Sequence, residues 1–112
     1  MNIENSKAQM RKGLLEFCIL LVLNRGEAYP SDIIASLKNA GLDMPEGTLY
    51  PLLTRLKNEE LLLYRWEEST MGPPRKYFSI TDKGRDFLSQ LSSSWDEINQ
   101  ALDKLKNQTP NT

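Results

Sequence analysis

Apolar positions recur along this chain in two different periods, and the switches between them outline its elements. Over residues 8–24, Met10, Leu14, Phe17, Cys18 and Leu21 share one side of a predicted helix, which turns apolar all round from Phe17 to Leu23. A helix of that kind has to be covered on more than one side. Gly13 leaves room for a close neighbour, and Arg25-Gly26 closes the helix with glycine near its C-terminus. A second helix is predicted over residues 30–40. Pro30 is tolerated only in a first turn, Ile33, Ile34 and Leu37 face inward, and Gly41 ends it. After the turn at 41–44 comes a third helix, over 45–59. Its Leu49, Leu52, Leu53 and Leu56 fall at i, i+3, i+4 and i+7. The opposite face carries Gly47, Pro51, Thr54 and Asn58, flanked by Tyr50 and Arg55. A proline in a helix interior costs about 3 kcal/mol. The regular part is therefore predicted to begin near Thr48, as N-cap, after an irregular first turn.

The period then drops to two. Leu62, Tyr64 and Trp66 share one face of a strand, with Arg65 and Glu67 on the other. Met71-Gly72-Pro73-Pro74 is a predicted turn. Arg75 to Ile80 returns as a second strand, with Phe78 and Ile80 on one side and Tyr77 on the other. Helical spacing resumes over 82–107, where Thr81 is the predicted N-cap and Asp82 suits the helix dipole. Leu88, Leu91, Trp95, Ile98, Leu102 and Leu105 follow in steps of 3, 4, 3, 4 and 3, an a/d seam. A projecting helix with its own seam needs a partner, so these six residues are the predicted interface of a homodimer. Residues 1–7 and 106–112 read as polar ends, the first of them frayed. The pattern is mainly α with a small β-hairpin. It predicts a winged helix-turn-helix DNA-binding domain over 1–81, with its N-terminal helix, and a C-terminal dimerisation helix and tail over 82–112. No internal repeat or second domain is visible.

Composition narrows the chemistry. The 112 residues suit one small domain. There is no histidine, so no imidazole base, imidazole pH switch or His-based metal site. The single cysteine, Cys18, lies in the apolar run and reads as a small core residue. Carboxylates are spread over solvated helical faces, no activated nucleophile is apparent, and no glycine-rich phosphate loop occurs. The chain is predicted not to be an enzyme and to need no cofactor or metal. The polar N-terminus and the shortness of FCILLVL leave the cytoplasm as the expected compartment.

A formal net charge of −1 argues against a generally sticky polycation. Placement matters more than the total. Arg55, Lys57, Arg75 and Lys76 fall in the region expected to read DNA, although Glu46, Glu59 and Glu60 do so too. Thr48, Tyr50, Thr54 and Arg55 lie at or beside the outer face of the third helix, where hydroxyls and a guanidinium can serve bases or phosphates. Gly47 and Pro51 keep that face low. Arg75 and Lys76 open the return strand, where cations meet phosphate or a narrow minor groove. Each basic residue also has a plainer reading as a solvated charge, Tyr50 as a half-buried residue at the core edge, and Ser31 as a solvated first-turn serine. Trp95 reads either as filler in the dimer core or as an aromatic wall for a flat apolar ligand.

The motifs EGTLYPLLTRL (46–56) and GPPRKYFSIT (72–81) resemble the signature of the PadR family of bacterial transcriptional regulators. The resemblance covers nearly the whole chain and fits the compact branch, whose C-terminal part is one helix. It implies a dimeric repressor on double-stranded DNA with an inverted-repeat operator. It also implies a small aromatic or hydrophobic effector at the dimer interface, with Met10, Leu14, Phe17 and Trp95 as candidate lining. Tyr29-Pro30-Ser31 departs from the family's Tyr-Gly-Tyr pattern, so the second aromatic has no counterpart. The alternative from another class is a winged-helix module that binds protein and not DNA, which the acidic pI of about 5.5 favours.

Overall fold

A computed structural model of the chain describes residues 1–69 and 71–108. The N-terminal segment is helical earlier than expected and is split in two. Helix α1 spans Ile3–Lys12; the Asn2 side chain caps it, accepting hydrogen bonds from the Glu4 and Asn5 amides. No residue of α1 is buried. Helix α2 spans Leu15–Leu23 and carries Ile19, Leu20 and Leu23 into the core. The break falls at Gly13 and Leu14 in place of the single helix over 8–24. Glycine costs about 1 kcal/mol in a helix interior, and no tertiary packing offsets it. The nearest atom that a Cβ at Gly13 would meet is the local Met10 carbonyl oxygen, at 3.8 Å. Gly13 marks a break, and within this chain no other element approaches it closely.

Helix α3 spans Pro30–Asn39, with proline in its first turn. Gly41, at φ 90°, takes the left-handed position after it, and the Leu42 amide reaches back to the Leu37 carbonyl at 2.8 Å. Helix α4 spans Glu46–Asn58 with Pro45 as N-cap, so Thr48 lies inside the first turn and is not the cap. Pro51 is accepted within the helix. Its missing N–H leaves the Gly47 carbonyl without a ladder partner, but Gly47 is exposed and water can reach it. Just past the C-cap Glu59 lies Glu60, the one non-glycine residue at positive φ among those described, and the Leu61 amide bonds to the Leu56 carbonyl.

Strands β1 (Leu62–Ser69) and β2 (Gly72–Ile80) form an antiparallel hairpin. The expected turn at 71–74 is displaced: Pro73 and Pro74 belong to β2. They lie opposite a register irregularity between Glu67 and Ser69, where a missing backbone donor costs little. Ala28 and Phe78 exchange a pair of backbone hydrogen bonds, tying the approach to α3 onto β2. Helix α5 spans Asp82–Lys106 and is capped by Thr81. The Thr81 hydroxyl lies 2.7 Å from the Glu60 carbonyl oxygen and accepts from the Gly84 amide. Gly84 is buried. A side chain there would run into the Leu61 carbonyl and Ile80, so glycine lets α5 lie directly against the end of α4.

One core joins these elements. Ile19, Leu20, Leu23, Ile33, Leu49, Leu53, Leu56 and Leu62 are almost wholly buried, and Phe78, Ile80 and Leu88 close it from the hairpin and α5. Leu88 thus belongs to the domain's own core and not to an open seam; Leu91 is half-buried against the same core. Beyond it α5 projects, which gives the molecule its 67 × 32 × 22 Å extents. Among the described residues, no helix is long and apolar enough to cross a membrane.

Candidate nucleic-acid interface

The leucine face of α4 is committed to the core, so the residues half a turn away are presented outward. Gly47, Pro51, Thr54 and Asn58 are all exposed, and Tyr50 and Arg55 flank them as the helical period requires. Two concavities on either side of this ridge hold the predicted contacts. One, of about 350 Å³, separates α4 from the hairpin wing, and its lining includes Ser31, Tyr50, Thr54, Trp66, Arg75 and Lys76. The other, of about 710 Å³, lies between α4 and the α1–α2 segment and is lined in part by Arg11, Lys12, Thr48 and Arg55. The fold therefore divides the six predicted DNA contacts. Tyr50, Thr54, Arg75 and Lys76 surround one cleft, and Thr48 and Arg55 stand on the far flank of the same helix.

Local bonding differs between the two sides. The Thr54 hydroxyl donates to the Tyr50 carbonyl at 3.1 Å and keeps its acceptor lone pairs. Arg55 Nη1 lies 3.2 Å from Glu16 Oε1, with the arginine side chain 70% exposed. A surface pair of this kind contributes under about 1 kcal/mol, so a phosphate can displace it. Arg75 and Lys76 make no ion pair with any described residue. As neighbours on a strand they point to opposite faces. Lys76 faces Trp66 across the hairpin, its Nζ 4.5 Å from the Tyr64 ring centre and 5.4 Å from that of Trp66. Arg75 faces Glu67 across the hairpin. Its guanidinium carbon lies 3.9 Å from the Tyr29 ring centre, and its Nη2 donates to Ser31 Oγ at 2.8 Å. Ser31 is thus engaged with the wing and is not simply a solvated first-turn residue.

Arg65 has a different role. It bonds to Glu27 and also pairs with Glu67 at 3.1 Å. The Glu27 hydrogen bond, above all, raises its pKa, and the two carboxylates occupy its guanidinium within the wing. Partial burial, then the Glu67 charge, raises the pKa of the Tyr29 phenol, and the face of the ring is occupied by the Arg75 cation. Burial likewise raises the pKa of the half-buried Cys18 thiol, in keeping with a packing residue. No group of acidic, cysteine or histidine side chains among the described residues could hold a metal.

Sequence reasoning missed Tyr29, Tyr64 and Trp66, and named Lys57 only as part of the region. Lys57 lies 5.8 Å from the Tyr64 ring, and Trp66 is 60% exposed on the inner side of the wing. An unburied tryptophan opposite a lysine in a hairpin is a signal, but only after the strand register is known.

Two helices joined by a short turn, an outward polar face on the second, and a hairpin with unpaired cations beside it define a winged helix-turn-helix. The chain belongs to the PadR-like family of transcriptional regulators, whose family model matches residues 19–90. It is similar in structure to a PadR-like transcription factor from Bacteroides fragilis, with 58% identity, a TM-score of 0.78, and coverage of 90% of this chain and 98% of that one. A PadR-like regulator from Bacillus cereus shares 36% identity at a TM-score of 0.81, covering 90% of this chain and 99% of the other. A PadR family regulator from Eggerthella lenta shares 29% at 0.84, covering 96% and 94%. An uncharacterised protein of Lysinibacillus sphaericus is 28% identical over 100 residues, 87% of this chain and 92% of that one. Members of the family are DNA-binding transcriptional regulators and not enzymes, and this chain is one of them.

Proposed function

We propose that the chain acts as a cytoplasmic homodimeric repressor that binds an inverted-repeat operator. The observation that carries the DNA half of this reading is the cleft between α4 and the wing, bordered by Tyr50, Thr54, Arg75 and Lys76. In this reading the leading end of α4, with Gly47, Thr48 and Tyr50, enters a major groove, and the wing cations take the flanking backbone. Arg55 reaches guanine or phosphate from the other flank of the ridge once released from Glu16. The dimer half rests on Trp95, Ile98, Leu102 and Leu105, which are 36%, 53%, 41% and 65% exposed along one side of α5. Two-fold symmetry then sets half-site centres about 10 base pairs apart.

Trp95, with exposed Met10 and half-buried Leu14 and Phe17, is the proposed wall of an aromatic effector site completed by the second copy. An effector bound there regulates only if it favours one spacing of the two recognition helices over another.

Footprinting on the intergenic DNA upstream of the chain's own gene tests the operator. Binding should weaken with salt at a log–log slope of about −0.9 per phosphate contact. Replacing Arg75 and Lys76 together by Ala should weaken binding to all sequences alike and flatten that slope by about 2. Salt-insensitive binding, or none to any duplex, would favour a protein-docking module. Loss at a single base position with the slope unchanged would make the wing a reader of bases.

A further inference from the structure

Of the two cations that open the return strand, Arg75 alone is both stacked and hydrogen-bonded. Its guanidinium lies over the Tyr29 ring at 3.9 Å, and Nη2 donates to Ser31 Oγ at 2.8 Å. Neither partner belongs to the wing: Tyr29 is the N-cap of α3, and Ser31 is in its first turn. Tyr29 is itself held in place. Its ring packs on Tyr77 with centroids 4.6 Å apart, and the neighbouring Ala28 exchanges backbone hydrogen bonds of 3.0 and 2.9 Å with Phe78. Tyr77 in turn lies under Arg65, at 4.7 Å, and Arg65 is anchored by Glu27 and Glu67. Lys76 touches aromatic rings but makes no hydrogen bond to any described side chain, so nothing comparable fixes its ammonium.

We infer that Tyr29 and Ser31 are positioning residues for Arg75. They hold its guanidinium at the mouth of the cleft before DNA arrives, so the wing meets the backbone with a preset fork and not a freely rotating arm. A flexible arginine loses several rotatable bonds when it binds a phosphate; one already stacked and bonded loses fewer. Only one N–H donor of the guanidinium is used on Ser31, so the others remain for a phosphate. Lysine could not substitute, because it has neither the planar stacking surface nor the fork.

This inference rests on the reading of the wing as a DNA contact, and the test separates the two. On a duplex that the native chain binds, Tyr29→Phe keeps the ring and should leave affinity within about twofold. Tyr29→Leu should weaken binding by roughly two- to fivefold on specific and random duplexes alike, the scale of one exposed cation–π contact. In an Arg75→Ala chain the same change should have no further effect. An equal loss in both backgrounds would mean that Tyr29 merely supports the fold, and no loss in either would remove its role; both overturn the inference. NMR order parameters of the arginine Nε–H groups in the free protein give a readout independent of DNA. Arg75 should be rigid, and mobile in Tyr29→Leu. A mobile Arg75 in the native chain overturns the positioning role. A rigid one that Tyr29→Leu frees, in a chain that binds no duplex, upholds it and sinks only the DNA reading.

Discussion

The two halves of α5 carry the same spacing of apolar residues and meet opposite surroundings. In the first half, Gly84 and Leu88 are buried against the winged domain. In the second half, Ile98 and Leu105 are 53% and 65% exposed. Nothing in the 3-4 pattern distinguishes them. Hydrophobic periodicity specifies that a stripe exists and which side of the helix bears it, and it is silent on whether the cover is the chain's own core or another copy. Helix α2 and strand β2 supply the cover for the first half of α5; the described chain has nothing that reaches Ile98.

The largest effect expected from that contrast is on assembly. Ile98→Asp with Leu102→Asp should reduce the solution mass to that of one chain at micromolar concentration while the helical circular dichroism signal persists. A surviving dimer would show that the exposed half of α5 is not the interface. Next comes stability, best measured in that monomeric variant so that mass action does not enter. There, Leu88→Ala should lower the free energy of urea unfolding by about 2–5 kcal/mol, whereas Leu105→Ala should change it by under about 0.5 kcal/mol. Equal losses at the two positions would erase the distinction between the halves. The smallest effect concerns Trp95, at the border between them. With Trp66 first replaced by Phe, planar aromatic compounds should quench Trp95 emission and shift operator affinity over one concentration range. Trp95→Leu should keep the dimer and the DNA affinity and lose the ligand response. A full response in Trp95→Leu would reduce the indole to packing.

Much of the fold is legible in the sequence because strong local signals agree. Pro30 and Gly41 bracket α3, the leucine spacing sets the buried face of α4, and alternation marks both strands. The misreadings share a cause: a local rule met a tertiary circumstance. Gly13 looked like a residue inside one long helix, but it ends α1. Pro51 looked incompatible with a helix from Glu46, but the carbonyl it orphans faces water. At the interface, Arg75 and Lys76 read as a pair because they are adjacent, yet a strand sends neighbours to opposite faces. Which aromatic ring each would meet depended on the hairpin register. That register rests on a turn whose displacement from 71–74 put both prolines inside β2.

The junction of Leu61, Thr81 and Gly84 makes a mechanical statement. Thr81 caps α5 while its hydroxyl reaches the carbonyl that follows α4, and the absent side chain at Gly84 seats one helix on the end of the other. The joint has little freedom to bend. Helix α5, at 25 residues, is therefore a stiff lever of roughly 37 Å, rooted where the recognition helix stops. A rotation of about 5° at the root would displace its tip by about 3 Å over that length. Run in reverse, a few ångströms of adjustment between two paired tips would arrive at the DNA as a turn of α4 and not as slack in the hinge. If α5 pairs as proposed, a regulator built this way needs no separate transmission between its assembly surface and its reading head.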